Sequence, residues 1–512
     1  MYGKLRELTG GYFYQAFVGL VAGIAGVCGS FAVAGSTQGF VGVRMSSILI
    51  NNTPGSVVDL VLENLGKYGQ PFAFVSAVLL SVALIGGLSF GGIVFGRYAN
   101  RKYVSAVFAF LLTALVVTAM TGVFVASFAA AFVAGGVVAL FDYRYEDEGV
   151  EFQPKPDVER RRALQASAGT IGFAGASYLA GRFRTPMDDE EFLGRGSSPP
   201  LEVQRMLDEA DEKSLELADA PGLVSEIGEF YQIDINTVNP RVNRDEWRLN
   251  FTGQVDDETT LTYDELTSMT DESEHRFISL RCVGDDLNGR QMDNSVWTGV
   301  PLEPLVEEAG ANSDYVVMHG YDDFFNTVPT EVLRNGFLAY GMNGRLLPRG
   351  HGHPVRILLP GHWGEVNVKW VREVEFVSED GDGYWERRGW DGTGRVKPVA
   401  KIWSAEALGD GRVRVGGHAY AGLDGVRTVE VSTDGGETWN EATLSERLDT
   451  EDRDVWRQWA YDWEAEEEEY EVVARMTDDN GNPQTEERSG SSPDGATGWV
   501  SRTVRPHSLG MS

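Results

Sequence analysis

The sequence predicts a multi-domain protein with N-terminal transmembrane helices, a central α+β domain and a C-terminal β-sandwich. Long apolar stretches are confined to the first third of the chain, strand-like runs mixed with helical pieces fill the middle, and strands separated by turns fill the end. At 512 residues the chain is too long for one ordinary domain. We place the anchor, a polar linker, the α+β domain and the sandwich at residues 1–184, 185–221, 222–399 and 400–512.

Four N-terminal stretches are long and apolar enough to cross about 30 Å of hydrocarbon. The third and fourth are joined by little more than a Thr-Gly pair, which predicts a tight antiparallel hairpin. A fifth stretch is weaker and rich in Gly, Ala and Ser. We therefore expect a lipid membrane as a partner of this domain. The five stretches are Tyr12–Ala34, Pro71–Phe95, Tyr103–Met120, Val123–Phe141 and Ala163–Gly181.

The basic residues between these stretches predict the orientation, because they collect on the cytoplasmic side of a membrane. Lys4 and Arg6 precede the first stretch, and Arg160–Arg162 precede the fifth. Five spans with a cytoplasmic N-terminus place the rest of the chain outside the cytoplasm, whereas four would leave it inside. The Arg161-Arg162 pair also resembles a twin-arginine export signal, the alternative being a simple positive flank. We expect five spans and extracytoplasmic soluble domains.

The charge of the chain excludes some partners. Its formal net charge is −32, mostly carried after residue 141, and such a surface disfavours binding to nucleic acid. Strong acidity with few lysines is also how halophilic proteins stay solvated, so we favour a halophilic protein over an ordinary acidic one. All seven histidines lie at His275 or later, so the apolar stretches cannot supply a bis-histidine haem.

The region from residue 222 alternates between strand-like and helical patterns, which indicates an α+β domain. Thr262 has the features of a helix N-cap. We expect strands over four runs and a short helix over one, namely Trp247–Val255, Phe277–Val283, Tyr315–His319 and Val355–Leu359 for the strands and Leu302–Ala309 for the helix.

From residue 400 the pattern changes to strands and turns. Thr433-Asp434-Gly435-Gly436 is typical of a hairpin turn, because glycine adopts positive φ easily. This pattern predicts a β-sandwich that resembles the immunoglobulin architecture. The expected strands are Arg412–Tyr420, Val426–Ser432, Glu437–Ala442 and Glu469–Met476.

The chain has two cysteines, Cys28 in an apolar stretch and Cys282 in the α+β domain. With no CxxC or CxxCH motif, zinc ribbons and c-type haem are excluded. Cys282 ends the strand-like run FISLRC and precedes a turn containing Gly284. A single cysteine in this position is either an inert core thiol or a ligand, and a thiolate is a soft ligand suited to a redox metal.

Three loops further along collect basic side chains and glycines. They read LPRGHGHPVR (347–356), LPGHWG (359–364) and VKW (368–370), and they flank a short apolar strand. Arg and Lys, with backbone amides freed by glycine, are what a phosphate requires. These residues alone indicate either an anionic cofactor near Cys282 or plain turns.

The series of motifs resembles the sulfite oxidase family of molybdopterin-dependent oxidoreductases. The α+β motifs occur in the family's order, EFYQID (229–234) is similar to its first cofactor loop, and VEVSTDGGETWNEATL (429–444) resembles its dimerisation domain. The resemblance covers nearly all of residues 222–504. The α+β motifs that carry it are FISLRCVGD (277–285), WTGVPL (297–302), AYGMNGRLLPRGHGHPVRILLPGHWG (339–364), VKW (368–370) and YWERRGW (384–390).

The resemblance implies a molybdenum–molybdopterin cofactor whose metal takes its protein thiolate from Cys282. It implies that His351 and Arg356 hold the phosphate region of the pterin and that Lys369 completes this basic site. Asn367 and Val368 then offer backbone contacts beside the lysine. Three further residues match pterin-contacting positions, namely Tyr231, Gln232 and Asp322.

The implied reaction is a two-electron oxygen-atom transfer, with electrons passed to or from a separate carrier because no haem or flavin segment is fused to these domains. The resemblance also implies a homodimer formed by the C-terminal domain. The motif after Cys282 departs from the family, because acids follow it where the family has arginines. The tyrosine after the Arg-Arg pair is replaced by Trp390. Arg281, Arg290, Arg387 or Arg388 are the candidates to replace the missing positive charge. The catalytic residues that the resemblance implies are Cys282, Arg387, Arg388 and Trp390.

Three functions are therefore weighed. Oxidation in the manner of sulfite oxidase follows the family, while reduction of a neutral S-oxide or N-oxide, such as methionine sulfoxide, suits a pocket with few arginines. An alternative from another class is a membrane-anchored scaffold or adhesion protein with a degenerate cofactor domain. The intact Cys282, the His351 and Arg356 pair and Lys369 argue against degeneration.

Overall fold

The computed structural model divides the chain into two compact units, Met1–Asp188 with Asp234–Pro240, and Asp189–Ile233 with Arg241–Ser512. The proposed twin-arginine pair, Arg161-Arg162, lies outside the residues that the structure describes. Those residues are 2–53, 57, 69–99, 103–146, 169–182, 199–236, 238–409, 411–448, 454–466 and 468–509.

The first unit is helical, as the apolar composition of its sequence predicts. Three helices contain stretches long and apolar enough to cross a membrane, at Gln15–Ala34, Pro71–Gly96 and Val104–Thr121. The fourth predicted stretch contains the shorter apolar helix Phe124–Leu140. The fifth is helical over residues 169–182. The helix bounds are Tyr2–Ala34, Val41–Asn52, Gly69–Ala99, Val104–Thr121, Phe124–Glu146 and 169–182.

The helix Val41–Asn52 was not predicted, because its polar residues interrupt the apolar pattern. Arg44 in this helix donates from Nε to the carbonyl oxygen of Met120 at 3.0 Å. This bond gives the guanidinium a partner at the end of the helix Val104–Thr121. A polar side chain inside an apolar bundle is stable when it is paired in this way.

Glycines allow the helices of the first unit to approach closely. A β-carbon placed on Gly23 would lie 2.3 Å from the carbonyl oxygen of Val82, and one on Gly19 would lie 2.8 Å from that of Gly86. Close backbone approach at small residues is typical of helix packing in membranes. Large apolar side chains also lie on the outside of this unit, for example Phe132, which is 74% exposed.

The predicted linker contains the helix Leu201–Lys213, which belongs to the second unit. Val203 and Ala210 on one face of this helix are buried in the same hydrophobic cluster as the C-terminal strands. Its other positions are mostly charged, so the helix is amphipathic and packs by its apolar face.

Two sheets form the α+β part of the second unit. The first has the strand order β2-β1-β10-β5-β6, with β1 and β10 parallel, and the second has the order β3-β4-β7-β8, with β9 paired to β7. Short helices span Tyr263–Ser268, Glu303–Glu308 and Thr330–Arg334. The strands are β1 Arg248–Gly253, β2 Thr259–Thr262, β3 Glu274–Arg281, β4 Met292–Pro301, β5 Tyr315–Gly320, β6 Phe325–Pro329, β7 Phe337–Met342, β8 Arg345–Leu346, β9 Arg356–Leu358 and β10 Val371–Val377.

The C-terminal part contains two antiparallel sheets whose buried side chains share one hydrophobic cluster. One sheet has the order β11-β13-β17-β16, with β12 beside β13, and the other has the order β15-β14-β18-β19. The strands are β11 Val399–Ala400, β12 Ser404–Ala407, β13 Arg412–Tyr420, β14 Thr428–Ser432, β15 Asn440–Glu441, β16 Thr443–Leu444, β17 Arg457–Glu464, β18 Tyr470–Thr477 and β19 Val500–Val504.

Most predicted strands form where the alternation of apolar residues places them, but the strand expected over Glu437–Ala442 is reduced to Asn440–Glu441. The carboxylate of Asp434 accepts hydrogen bonds from the backbone amides of Glu437 and Thr438, at 3.0 Å and 2.9 Å. These bonds keep the start of the predicted strand in the turn, since a side-chain acceptor competes with strand pairing for the same amides.

Candidate active site

Cys282 follows β3 and begins a tight turn. Its backbone amide donates to the carbonyl oxygen of Gln291 at 3.0 Å, and its own carbonyl accepts from Asp285 at 3.1 Å. A β-carbon placed on Gly284 would lie 3.8 Å from the Cys282 sulfur and 3.7 Å from Cη2 of Trp390. The sulfur and the Trp390 indole therefore flank the same glycine.

Cys282 is partly buried. Its side chain keeps part of its surface accessible, and burial by the surrounding residues raises the pKa of the thiol to about 12. A hydrogen bond from the backbone of Gly284 favours the thiolate and opposes this shift. A metal ion that binds a thiol displaces its proton, so the sulfur can act as a ligand in spite of the raised pKa.

A buried charge network fixes the turn after Cys282. Lys401, which follows β11 in the C-terminal part, donates from Nζ to Oδ2 of Asp285 at 2.5 Å and to the carbonyl oxygen of Gly289 at 3.0 Å. Nε of Arg281 lies 3.6 Å from the same Asp285 oxygen. Burial lowers the pKa of Lys401 to about 8, and the carboxylate of Asp285 opposes that shift. The negative charge of Asp285 is therefore balanced inside the fold by Lys401 and Arg281.

Two of the arginines considered for substrate binding are used elsewhere. Arg281 donates to the carbonyl oxygens of Lys397 at 2.8 Å and Ala496 at 3.2 Å, and its guanidinium lies 4.9 Å from the centre of the Trp363 ring. Arg290 donates to the carbonyl oxygens of Asp219 and Trp403. Because both guanidinium groups bind backbone of other segments, the idea that Arg281 or Arg290 binds the substrate is not supported.

The loop that carries Tyr231 reaches the same region from the other side. A β-carbon on Gly364 would lie 2.4 Å from the Tyr231 hydroxyl oxygen and 3.2 Å from the carbonyl oxygen of Arg281, the residue before the candidate ligand. Only glycine at 364 allows this approach. Burial raises the pKa of Tyr231 well above its ordinary value, and Cys282 acts in the same direction while Arg356 opposes it.

Asp293 on β4 holds the Tyr231 loop in place. One carboxylate oxygen accepts from the Ser225 hydroxyl at 2.6 Å and the other from the backbone amide of Tyr231 at 2.8 Å. Burial raises the pKa of Asp293 to about 7. Gln232, the next residue along the loop, lies against Gly350, where an added β-carbon would be 2.3 Å from its Oε1.

The predicted basic site is assembled from three segments. Arg356 donates from Nη1 to the His351 carbonyl oxygen at 3.2 Å and from Nη2 to that of Asn367 at 3.1 Å. Lys369 donates from Nζ to the carbonyl oxygen of Gly350 at 3.1 Å. At Gly352, where φ is +115°, a β-carbon would lie 3.0 Å from Cβ of Arg356 and 3.3 Å from that of Lys369. The structure therefore brings His351, Arg356 and Lys369 together.

His351 in this cluster is neutral. Burial, together with the charges of Arg356 and Lys369, lowers its pKa to about 3. Its Nε2 lies 3.3 Å from the carbonyl oxygen of Ile227, and its ring packs edge-on against Phe230 with centroids 5.4 Å apart. Because Nε2 donates to that carbonyl oxygen, Nδ1 of the neutral ring can only accept a hydrogen bond, and the imidazole adds no charge to the site.

Asn367 and Val368 hold the loop next to the basic site, Asn367 by its side chain and Val368 by its backbone. The Asn367 side chain accepts from the amide of Leu359 at 2.7 Å and donates to the carbonyl oxygen of Trp363 at 2.9 Å, so it fixes both ends of the loop. The carbonyl of Val368 accepts from the amide of Ile357 at 2.9 Å, and its amide is also bonded. A direct contact between Val368 and the cofactor therefore stays a prediction.

The remaining predicted residues lie around Tyr384. Arg388 stacks on the Tyr384 ring at 3.7 Å and donates to the carbonyl oxygen of that residue. Arg387 is exposed and covers the Phe325 ring at 4.6 Å. The carboxylate of Asp322 accepts from the amide of Phe324 at 3.1 Å. Their roles in binding the cofactor or the substrate stay predictions.

Four functionally placed residues were missed by the sequence analysis. Asp293 and Lys401 are buried, and Glu365 and Glu386 are partly buried and lie close together. Each contacts residues far away in the sequence, so no local spacing marks them. The only sequence signal is an acidic residue inside the cofactor-loop motifs, as at Glu365 between Gly364 and Asn367.

The donor set suits an anionic cofactor with a thiolate-bound metal. The Tyr231 hydroxyl and the carbonyl oxygen of Arg281, the residue before Cys282, lie against Gly364, while Arg356 and Lys369 lie against Gly352 next to His351. Gly350, Gly352 and Gly364 stand where a side chain would collide with neighbouring residues, so glycine allows these loops to pack closely. Arg and Lys near glycine amides are the groups that hold phosphate, and Cys282 is the soft ligand.

Comparison with known proteins supports the same conclusion. The family model described as oxidoreductase molybdopterin binding domain matches residues 236–385, and the one described as Mo-co oxidoreductase dimerisation domain matches residues 395–491. The mitochondrial sulfite oxidase of Mus musculus is 33% identical over 29% of this chain and 31% of its own length. That of Rattus norvegicus is 26% identical over 48% of this chain and 54% of its own length.

Among solved structures, the sulfane dehydrogenase SoxCD from Paracoccus pantotrophus matches with a TM-score of 0.48 and 20% identity, covering 57% of this chain and 82% of that chain. The chain spans about half or less of the length of the two sulfite oxidases that it matches. The two matched regions follow each other along the chain, in the order that the motifs predicted. They do not favour the alternative of a scaffold with a degenerate cofactor domain. This chain is a molybdopterin-dependent oxidoreductase with the domains and homologues of the sulfite oxidase family, and its cofactor is molybdenum–molybdopterin.

Proposed function

We propose that this protein catalyses a two-electron oxygen-atom transfer in the manner of sulfite oxidase and exchanges electrons with a separate carrier. The observation that carries the proposal is that the Tyr231 hydroxyl and the carbonyl oxygen of Arg281, the residue before Cys282, both lie against Gly364, within a region that matches the molybdopterin-binding domain. When bound, the molybdenum–pterin supplies the redox chemistry, and the chain supplies binding, orientation and electrostatics.

The residues of the chain have distinct parts in this proposal. Cys282 ligates the metal, and Trp390 covers the adjacent glycine turn. Arg356 and Lys369 neutralise the phosphate region of the cofactor, while the neutral His351 uses its N–H on the Ile227 carbonyl oxygen and offers an acceptor at Nδ1. Since the charge of Asp285 is balanced inside the fold by Lys401 and Arg281, this acid does not oppose the binding of an oxyanion.

A second candidate is the reduction of a neutral S-oxide or N-oxide on the same cofactor. The observation that favours it is the engagement of Arg281 and Arg290 with backbone carbonyls, which leaves Arg387 and Arg388 as the arginines proposed for an anion. A neutral substrate does not require further positive charge.

Steady-state assays separate the two directions. Full-length protein in detergent is tested with sulfite and ferricyanide, and with methionine sulfoxide and reduced viologen. We expect turnover with sulfite, lost on the paired substitution of Arg387 and Arg388 by Met. The exposed pair Arg244 and Arg248 changed to Met is the control. Turnover with methionine sulfoxide alone would favour the second candidate, and turnover with neither substrate would contradict both.

We further propose that the first unit anchors the protein in a membrane, with the second unit outside the cytoplasm. Three apolar helices of sufficient length and the exposed apolar side chains of this unit support the anchor. Protease added to intact cells should then degrade the second unit, and its protection until the cells are lysed would contradict the orientation. The matched dimerisation domain supports a homodimer, which light scattering in detergent tests.

A further inference from the structure

Two partly buried glutamates and a buried asparagine form a cluster of buried oxygen atoms that the proposed reaction has not used. Glu365 lies on the short 3-10 helix Gly364–Val366 and Glu386 on another, Glu386–Arg388, while Asn326 lies on β6 and is fully buried. Nδ2 of Asn326 lies 3.5 Å from Oε1 of Glu365, and the amide of Gly392 donates to Oε1 of Glu386 at 3.3 Å.

The cluster has more acceptors than donors. Oε2 of Glu365, Oε2 of Glu386 and Oδ1 of Asn326 are all buried, and none has a hydrogen-bond partner among the described residues. The oxygens converge, because a β-carbon on Gly383 would lie 2.4 Å from Oε2 of Glu386 and 2.9 Å from Oδ1 of Asn326. Buried oxygens without donors are costly, so the geometry requires a proton or a cation between them.

A proton fits the two glutamates. The carboxyl groups are placed to share a hydrogen bond, which needs one of them protonated. Two carboxyl groups close enough to share a hydrogen bond cannot both lose their protons easily when they are shielded from water. Burial, followed by the charges of Glu386 and Asp391, raises the pKa of Glu365 well above its ordinary value. The charge of Glu365 in turn acts on the Cys282 thiol and raises its pKa.

The pair lies beside the candidate metal site. A β-carbon on Gly392 would lie 2.0 Å from Oε2 of Glu365 and 3.2 Å from Cγ1 of Val283, the residue after Cys282. Glu365 also directly follows Gly364, which lies against the Tyr231 hydroxyl and the Arg281 carbonyl. Glu365 is therefore separated from the turn that carries Cys282 only by Gly392 and Val283.

We propose that Glu365 and Glu386 hold one proton between them and act as the proton acceptor of the oxygen-atom transfer. This inference rests on the proposed function. Adding an oxygen atom from water to a substrate S is written S + H2O → SO + 2H⁺ + 2e⁻. The two electrons pass one at a time to the separate carrier. One proton goes to the unprotonated carboxylate, so that both carboxyl groups of the pair are then protonated. The other proton goes to solvent.

The test compares Glu365→Gln and Glu386→Gln with Glu379→Gln, an exposed glutamate in the same region. Glutamine preserves size and hydrogen bonding but cannot take the proton. With sulfite and ferricyanide, we expect kcat to fall about 100-fold in both pair variants, as for loss of a general base. KM and molybdenum content should stay unchanged, and the pH profile of kcat should lose one limb. The control should behave like the wild type.

Infrared difference spectroscopy in H2O and D2O gives a readout that does not need turnover. The wild type should show a deuterium-sensitive band of a buried protonated carboxyl that is missing in Glu365→Gln. Unchanged kcat, pH profile and infrared spectrum in variants that retain molybdenum would overturn the inference and leave the proposed function standing. A second metal ion, bound by the wild type and lost in Glu365→Gln, would also overturn it. Absence of molybdenum from the wild type would instead contradict the proposed function.

Discussion

The sulfur of Cys282 owes its position to residues that never touch a substrate. The turn that carries it is closed by backbone hydrogen bonds to Gln291 and Asp285. Asp285 is in turn held by Lys401 and Arg281, so the negative charge next to the metal ligand is compensated inside the fold. Tyr231, on the opposite side, depends in the same way on Asp293.

At Asp293 the stability of this arrangement should depend on pH. Its pKa is raised from 3.8 to about 7 in the folded chain, so the folded state binds this proton more tightly than the unfolded state. Such a group stabilises the fold fully below the unfolded pKa and loses that stabilisation as pH rises through the folded pKa. The free energy of unfolding should therefore fall between about pH 4 and pH 7, by roughly 4 kcal/mol from this residue alone.

Denaturant unfolding followed by tryptophan fluorescence measures this difference. Asp293→Asn should remove the dependence, so that the variant gains stability relative to the wild type as pH rises through this window. Asp257→Asn, at an exposed aspartate, is the matched control and should leave the dependence in place. Parallel curves for the wild type and Asp293→Asn would show that the carboxyl does not change its proton affinity on folding.

At the scale of elements, the turn after β3 is tied to the C-terminal sheets by Lys401. The Nζ of this lysine bonds to Asp285 and to two carbonyl oxygens of the turn, those of Asp286 and Gly289. The candidate active site and the C-terminal part therefore share a buried ionic contact, although both the metal ligand and the basic cluster belong to the α+β part.

Removing this contact should cost much of the stability of the second unit. Lys401→Met leaves the buried carboxylate of Asp285 without its closest cation, and breaking such a pair costs roughly 3–5 kcal/mol. Lys397→Met is the matched control, because Lys397 pairs with Asp494 at 2.7 Å in a partly exposed position. That pair should contribute only about 0–1 kcal/mol. Equal losses for the two variants in chemical denaturation would contradict the assigned role of Lys401.

The elements show what the sequence could predict and what it could not. The apolar alternation around β3 and the capping residues at Thr262 depend on neighbours in the chain, so Thr262 forms its predicted cap with Glu265. The strand expected over Glu437–Ala442 was lost to side-chain acceptors in the preceding turn. The pairs Lys401–Asp285 and Glu365–Glu386 join distant segments, and no local pattern contains that information.

At the scale of the whole molecule, the two units differ in how they exclude water. The first has apolar side chains on its outside and glycines at its helix contacts, as expected of a membrane bundle. The second has a polar, acidic exterior and buries its aromatic residues. The contrast could be predicted from composition alone, whereas the orientation and the partner for electrons depend on the membrane and the carrier.

X-ray absorption at the molybdenum edge tests the central claim most directly, because it counts the sulfur atoms around the metal. Full-length protein purified from a host that makes the cofactor should contain about one molybdenum per chain. Cys282→Ser should lose one sulfur ligand relative to the wild type, while Cys28→Ser should keep them all. A wild-type protein without molybdenum, or an unchanged sulfur count in Cys282→Ser, would contradict the account.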